Sequence, residues 1–116
     1  MNLRTMKSGD LDAVLALWLE GNLEAHPFID PSYFENNLPY VKSALSEARV
    51  IVAEEGGILL GFIGLTKSHI EGLFVAAPYR GQGVGKALLD AVKKEHIALT
   101  VAAFGKNSGA IRFYKR

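Results

Sequence analysis

Hydrophobic residues near the start of the chain recur at three- and four-residue spacing, which is typical of one face of an amphipathic helix. The spacing predicts a helix over Asp10–Glu20. Ser8 or Asp10 can cap the start of this helix, and Gly21 can end it. The segment before it, Asn2–Thr5, predicts a short strand.

Three prolines interrupt the next stretch, Asn22–Pro39, and they predict a loop or a broken helix. The helical pattern returns over Tyr40–Ala48. Short apolar runs separated by turn residues then predict a series of strands. These strands are Val50–Ala53, Ile58–Leu65 and Ile70–Val75.

The last part of the chain alternates between helix and strand patterns. A stripe of leucine and valine predicts a helix over Gly85–Glu95, and a continuous apolar run predicts a buried strand over Ala98–Ala103. Ser108–Arg116 begins a further helix. The resulting order, β α α β β β α β α, indicates an α/β or α+β fold, in which helices flank a mixed, mostly antiparallel sheet.

Length and composition indicate one folded domain over residues 1–116. Hydrophobic residues make up 49% of the chain and charged residues 22%, which suits a packed core better than a disordered chain. The chain has no cysteine, so disulfides, thiolate metal ligands and cysteine nucleophiles are excluded. Because no long apolar run or signal-like start occurs, we expect a cytoplasmic protein without membrane segments.

The formal net charge of +1 conceals two parts of opposite sign. Residues 1–79 carry 5 basic and 10 acidic side chains, whereas residues 80–116 carry 8 basic and 2 acidic ones. The basic part favours a polyanionic ligand, and the acidic part favours an amine. Nucleic acid is not expected as a partner, because it usually requires a denser basic cluster with aromatic residues among it.

The segment with the most chemical information is a strand that breaks at a proline and passes through alternating glycines into a helix. It reads LFVAAPYRGQGVGK and spans residues 73–86. Glycine permits positive φ and has no Cβ, so the backbone N–H groups of such a turn can converge on a phosphate oxygen. The helix start adds partial positive charge, to which Arg80 and Lys86 can contribute. The turn therefore predicts a phosphate-binding site, with a purely structural glycine turn as the alternative.

Two common phosphate-binding motifs do not fit this turn. A Walker A loop needs glycine at the position of Arg80 and a magnesium-binding serine or threonine at that of Ala87. The dinucleotide fingerprint needs glycine at the position of Lys86 and an acidic residue near Thr100. ATP, GTP and NAD are therefore disfavoured as ligands.

The turn resembles the acetyl-CoA turn of the GCN5-related N-acetyltransferase (GNAT) family, whose pattern Gln/Arg-x-x-Gly-x-Gly/Ala is matched by Arg80–Gly85. The resemblance extends to Pro78, to the strand before the turn and to the later motif NSGAIRFY at 107–114. His69 and Glu71 stand as they do in the small bacterial acetyltransferases of the YjaB type.

The resemblance implies the GNAT acyl-CoA N-acyltransferase fold, with acetyl-CoA as cosubstrate, an amine as acceptor and no metal. In that family the strand before the turn splays from its neighbour, and the pantetheine arm pairs with it as another strand would. Mapped onto this chain, the acetyl-CoA-binding residues are Leu73, Phe74, Val75, Arg80, Gly81, Gln82, Gly83, Val84, Gly85, Lys86, Asn107 and Tyr114. Asn107 is equally suited to cap the last helix.

Acetyl transfer to an amine requires a base for the ammonium and an acid for the leaving thiolate. The resemblance assigns the acid to Tyr114, for which an ordinary core position is the alternative. Glu71 is the candidate base, because strand alternation puts it on the face of Leu73 and Val75; the alternative is an exposed carboxylate. Further candidate bases are His69, His26 and Glu24.

The sequence ends within the last predicted helix, whereas GNAT proteins continue through two more strands. We therefore expect a C-terminally incomplete domain, in which the strand Ala98–Ala103 has an open edge. Such an edge favours a homodimer or strand exchange with another chain. Two functions stay open: an N-acetyltransferase that acts by direct attack in a ternary complex, and a non-catalytic acyl-CoA sensor or regulatory domain.

Overall fold

The computed structural model describes residues 1–95 and the strand Thr100–Val101. Within these residues, one sheet contains five strands that lie side by side in the order of the chain. They are β1 (Asn2–Thr5), β2 (Arg49–Glu55), β3 (Ile58–Thr66), β4 (His69–Val75) and β5 (Thr100–Val101). The pairs from β1 to β4 are antiparallel, and β5 is parallel to β4. The prediction of a mixed, mostly antiparallel sheet is confirmed.

Helices cover both faces of the sheet. The described helices are α1 (Leu11–Ala25), α2 (Pro31–Glu47) and α3 (Val84–Glu95). Val50 and Val52 of β2 pack with α1 and α2, whereas Ile51 and Ala53 pack with α3. Because successive strand residues point to opposite faces, a strand that is buried on both faces is apolar at every position, which accounts for the continuous apolar run of β2. Each described helix is too short or too polar to cross a membrane.

The prediction that Gly21 ends the first helix is wrong. Helix α1 continues to Ala25, and the His26 N–H donates to the Asn22 carbonyl at 2.9 Å as the helix closes. Gly21 lies where α1 crosses the ring of Phe74 in β4. A Cβ at position 21 would lie 2.8 Å from Phe74 Cε1 and closer still to Cδ1, so glycine serves here to let helix and ring approach.

The segment Asn22–Pro39 is more helical than its prolines suggest. Asp30 caps α2, because its carboxylate accepts the Ser32 N–H at 2.9 Å. Pro31 follows as the first helical residue, where the N–H that proline lacks would have no helical acceptor. Pro39 lies inside the helix, and packing of α2 against α1 outweighs the hydrogen bond lost there.

The other predicted elements are present where the structure describes them. β1 has the predicted bounds, β2 to β4 are each one or more residues longer than predicted, and α3 begins one residue earlier. Of the predicted strand Ala98–Ala103, the residues Thr100–Val101 are described and form β5. The predicted helix Ser108–Arg116 lies outside the described residues, as does Asn107.

Arg4 of β1 attaches the start of the chain to the sheet through two carboxylates. Its Nη1 and Nη2 donate to the two carboxylate oxygens of Asp10 at 2.7 and 3.0 Å, and its Nε donates to Glu54 Oε1 at 2.9 Å. Asp10 Oδ2 also accepts the Lys7 N–H at 2.7 Å. The hydrogen bonds from Arg4 above all, and then from Lys7, lower the pKa of Asp10 to about 2.

We predict that acid weakens the fold through Asp10. The unfolded carboxyl binds its proton near pH 3.8 and the folded one near 2, so the unfolded state binds more protons between these values. The stabilisation is present above the unfolded pKa and is lost as the pH falls through the folded one. As the pH falls from about 6 to about 3, protonation of Asp10 should lower the free energy of unfolding of the wild type by roughly 1 kcal/mol.

Urea unfolding of Asp10→Asn at the two pH values measures this contribution. The variant lacks the titrating carboxyl, so its free energy of unfolding should fall by about 1 kcal/mol less than that of the wild type. Asp12→Asn removes a carboxylate next to the network and leaves the partners of Arg4 in place, so it should keep the wild-type pH dependence. Equal pH dependence in Asp10→Asn and Asp12→Asn would contradict the prediction.

We also predict that Gly21→Ala destabilises the protein by up to about 2 kcal/mol. The added methyl would overpack the contact with Phe74, and this cost exceeds the roughly 1 kcal/mol that alanine gains in a helix. Gly9→Ala is the matched control, because nothing lies within 4 Å of its Cβ position. If both variants unfold at the same urea concentration, the Phe74 ring moves aside without cost and the prediction fails.

Candidate functional site

The turn between β4 and α3 leaves room for a ligand beside its backbone. A 3-10 turn at Ala77–Tyr79 leads out of β4, after which Gly81 and Gly83 take φ values of +76° and +86°. Residues with side chains rarely adopt this conformation. A Cβ at either glycine would meet no atom of the described residues within 4 Å. The glycines therefore give the turn its shape and keep its surroundings open.

Helix α3 begins directly after Gly83, whose carbonyl accepts the Ala87 N–H at 3.0 Å. The N–H groups in the first turn of a helix have no helical acceptor. In α3 these groups belong to Val84, Gly85 and Lys86. They point out of the helix end, where the helix dipole also favours an anion. Together with the glycine turn, this helix end is suited to a pyrophosphate.

Besides Arg80, the side chains of Val84, Gln82 and Lys86 have partners within the protein. Val84 is buried, at 4% exposure, in the core between α3 and the sheet. Gln82 Nε2 donates to the Pro78 carbonyl at 3.1 Å, and Lys86 Nζ lies 2.8 Å from Asp90 Oδ2. The turn therefore offers an anion mainly its backbone, and Val84 can contribute only its N–H.

The backbone groups of Leu73 and Val75 face away from β3. Hydrogen-bonded and non-hydrogen-bonded positions alternate along an antiparallel pair. The Ala76 N–H donates to the Leu60 carbonyl at 2.8 Å, so the even-numbered positions at this end of β4 bond to β3. The odd-numbered positions then point to the other edge of β4, where the described pairing with β5 ends at Ile70. An extended ligand can bond to this edge as a further strand would.

A β-bulge interrupts β4 at Glu71. In the register with β3, Gly72 pairs with Gly64 and Ile70 pairs with Leu65. Glu71 is therefore an extra residue between two paired positions. Because side chains alternate with a period of two, one extra residue exchanges the faces of all side chains beyond it.

The bulge brings Ile70 onto the face of Leu73 and Val75. Ile70 would lie opposite to these residues in a regular strand, yet it packs with them against α3. Glu71 itself is exposed at the bulge, as in the alternative interpretation of this residue.

The other candidate bases lie in two places, at the end of α1 and at the start of β4. Glu24 is in the last turn of α1, and His26 follows that helix and stacks on Phe34 at a centroid distance of 5.9 Å. His69 is the first residue of β4, where it pairs with Thr66. Of these three residues, Glu24 lines the cleft that leads to the end of β4.

This cleft has a volume of about 240 Å³ and lies between α1, the end of β4 and the turn. Its lining residues are Gly21, Glu24, Ala25, Leu73, Phe74, Val75 and Arg80. The small residues of α1 leave the space open, and the charged groups of the lining are one carboxylate and one guanidinium. The cleft thus joins the predicted acetyl-CoA strand to the acidic N-terminal part of the chain.

Arg80 links the turn to α1 across the cleft. Its Nη2 lies 2.8 Å from Glu24 Oε2, and its Nε donates to the Val75 carbonyl at 3.1 Å. The two charged side chains are 44% and 56% exposed, so the ion pair is of modest strength. Their hydrogen bond lowers the pKa of Glu24 and raises that of Arg80. Sequence reasoning put Arg80 at the rim of a phosphate site and missed this pair, for which the sequence has no local signal.

Asn107 and Tyr114, the remaining predicted site residues, lie outside the described residues. The geometry of the site therefore rests on β4, the turn, the start of α3 and the end of α1. Gly81 and Gly83 have the positive φ values that the predicted phosphate-binding turn requires.

Comparison with known proteins identifies relatives over almost the whole chain. Residues 46–116 match the family described as acetyltransferase (GNAT) domain. Peptidyl-lysine N-acetyltransferase YiaC of Escherichia coli (strain K12) is 37% identical over 115 residues, which cover 97% of this chain and 79% of YiaC. Peptidyl-lysine N-acetyltransferase YjaB of Salmonella typhimurium is 29% identical over 117 residues, which cover 100% of this chain and 81% of YjaB.

Solved structures agree with these sequence matches. The solution structure of apo-form YjaB from Escherichia coli has a TM-score of 0.82 at 28% identity, over 98% of this chain and 78% of YjaB. YncA from Salmonella typhimurium, solved with acetyl-CoA, shares the fold with a TM-score of 0.68 at 19% identity, over 99% of this chain and 76% of YncA. The predicted resemblance to YjaB-type proteins is confirmed. The chain belongs to the GNAT family of acetyltransferases, whose cosubstrate is acetyl-CoA.

Proposed function

We propose that the chain transfers the acetyl group of acetyl-CoA to a primary amine by direct attack in a ternary complex. The observation that carries this proposal is the edge of β4 at Leu73 and Val75, whose backbone groups point away from β3 and have no strand partner among the described residues. The pantetheine arm would form hydrogen bonds with this edge, and the pyrophosphate oxygens would accept hydrogen bonds from the N–H groups of the turn. An acyl-enzyme is not proposed, because the chain has no cysteine and the described cleft lining has no serine.

In the proposed reaction, the amine nitrogen attacks the thioester carbonyl carbon, an amide bond forms and the carbon–sulfur bond breaks. The ammonium form of the acceptor first gives a proton to a base, and the leaving thiolate takes a proton from an acid. A backbone N–H at the edge of β4 would polarise the carbonyl, as donors in an oxyanion hole do.

For the proton transfers we propose Glu71 as the base and Tyr114 as the acid. Glu71 is exposed at the bulge of β4, so a water molecule can connect its carboxylate to an acceptor amine. A tyrosine hydroxyl can donate a proton to a thiolate if protonation and departure of the thiolate overlap. Asn107 is proposed to contact the pantetheine arm. The alternative bases remain His69, His26 and Glu24.

We propose a peptidyl lysine as the acceptor. YiaC and YjaB are named as peptidyl-lysine N-acetyltransferases, and this chain aligns with them along almost its whole length. The acidic charge of residues 1–79 and the position of Glu24 in the cleft also favour a cationic side chain.

Three further proposals concern the setting of the reaction. Residues 1–116 act as one domain, because helices on both faces share the same sheet. The reaction takes place in the cytoplasm, where acetyl-CoA is available. A homodimer or strand exchange at the edge of β5 would protect that edge.

We test the function by measuring CoA release from acetyl-CoA with and without a lysine-containing peptide. The enzyme should release CoA at a rate that depends on the peptide concentration, and mass spectrometry should find the acetyl group on the lysine. Tight acetyl-CoA binding without peptide-dependent release would instead favour an acyl-CoA sensor.

We predict that Gly83→Asp weakens acetyl-CoA binding by about a hundredfold or more, because a carboxylate would stand where the phosphate binds. Gly57→Asp is the matched control. Gly57 has a φ of +82°, close to that of Gly83, and nothing lies within 4 Å of its Cβ position. Both variants carry similar backbone strain, and Gly57 is in the β2–β3 hairpin. Calorimetry that finds equal affinity in the two folded variants would remove the turn from the site.

We predict that Tyr114→Phe lowers kcat by at least about tenfold and leaves acetyl-CoA affinity nearly unchanged. The substitution keeps the ring and removes the hydroxyl that is needed only as the thiolate leaves. Tyr40→Phe, at an exposed tyrosine of α2, is the control and should keep the wild-type kcat. An unchanged kcat in Tyr114→Phe, measured while chemistry limits the rate, would exclude Tyr114 as the acid.

A further inference from the structure

The ligand-binding edge of β4 is occupied by a side chain of the protein itself. The Val75 carbonyl points away from β3, and in the structure it accepts a hydrogen bond from Arg80 Nε at 3.1 Å. A pantetheine arm that paired along this edge would need the same carbonyl. Arg80 and the arm therefore compete for one acceptor.

Arg80 would gain an alternative partner when an anion binds at the turn. It directly precedes Gly81, where the turn presents its N–H groups to an anion. A bound pyrophosphate would offer the guanidinium two or more oxygens, which arginine binds in bidentate fashion. The pantetheine arm of acetyl-CoA would thus displace Arg80 from the Val75 carbonyl. The pyrophosphate of acetyl-CoA would then replace Glu24 as the anionic partner of Arg80.

Release of Arg80 would leave Glu24 without the cation that it has in the structure. Glu20 lies one turn earlier in α1, close enough for its charge to act on Arg80, so the remaining local charge would be negative. The rest of the cleft lining is small or apolar. An exposed carboxylate beside such a lining attracts a cationic partner, and an aliphatic stem on that partner can cover the apolar residues.

We propose that Glu24 is the residue that selects a cationic acceptor, and that Arg80 occupies Glu24 until acetyl-CoA pairs with the edge of β4. The inference rests on the proposed amine acetyltransferase function and adds to it a specificity residue and a cause for ordered binding. The amine then binds Glu24 as its ammonium form and gives its proton to the proposed base, Glu71, directly or through water, before its nitrogen attacks.

The exchange has a thermodynamic consequence that binding experiments detect. If CoA frees Glu24, CoA raises the affinity for a cationic acceptor, and the acceptor raises the affinity for CoA by the same factor. The broken ion pair is exposed, so we expect a factor of about two to five.

The experiment uses Nα-acetyl-lysine methylamide as the cationic probe and Nα-acetyl-norleucine methylamide as its uncharged counterpart. NMR titration measures the affinity for each probe in the absence and presence of saturating CoA. The wild type should bind the lysine probe about two to five times more tightly with CoA, whereas the norleucine probe should show no such gain. Equal effects of CoA on both probes would overturn the proposal.

Two substitutions separate the parts of the exchange. Glu24→Gln should lose the preference for the lysine probe and bind CoA about two to five times more tightly, because Arg80 is no longer held. Glu47→Gln removes the same charge from an exposed position of α2 outside the cleft and should behave as the wild type. Arg80→Gln should bind the lysine probe with the same affinity whether or not CoA is present. A Glu24→Gln protein that matches Glu47→Gln in both affinities would contradict the inference.

These measurements do not depend on turnover, so they distinguish this inference from the proposed function. If the wild type shows the coupled binding but never acetylates a lysine peptide, the function fails and the exchange stands. If the wild type acetylates the peptide and Glu24→Gln keeps the wild-type KM for it, the function stands and the exchange fails.

Discussion

The geometry of the site depends on one aromatic ring, that of Phe74, which lies between helix α1 and strand β4. Gly21 and Gly72 provide the space for this ring, since a Cβ at either position would lie within 2.8 Å of a ring carbon. The ring also stacks on Phe62 with a centroid distance of 5.4 Å. Because the helix is held this close to the strand, its last turn reaches the end of β4 and forms one wall of the cleft.

Backbone and side chains have different tasks in this site. The groups that would hold acetyl-CoA are mainly N–H and C=O groups of β4, the turn and the start of α3, whose orientation follows from secondary structure. Several nearby side chains serve the fold, as the buried Val84 shows. Backbone recognition suits a cosubstrate that is common to a family, whereas the side chains that α1 contributes to the cleft can vary without disturbing the turn.

The uneven charge of the sequence has a structural counterpart at the cleft. Arg80 is the first basic residue of the basic part, and it pairs with Glu24 of the acidic part. The ion pair is exposed and therefore weak enough to be exchanged for other ionic partners. The boundary between the two charged parts thus coincides with the place where an anionic cosubstrate and a cationic acceptor would meet.

Much of this protein was predictable from local sequence patterns. The glycine spacing of the turn, the strand before it and the apolar stripe of α3 are short-range features, because turn geometry and side-chain periodicity depend on neighbouring residues. The role of Gly21, the bulge at Glu71 and the pairing of Arg80 with Glu24 were not predictable in this way. The contact of Gly21 with Phe74 and the ion pair of Arg80 with Glu24 join segments far apart in the chain, which the packing of α1 on the sheet brings together. The bulge depends on the register between β3 and β4, which side-chain periodicity within one strand does not reveal.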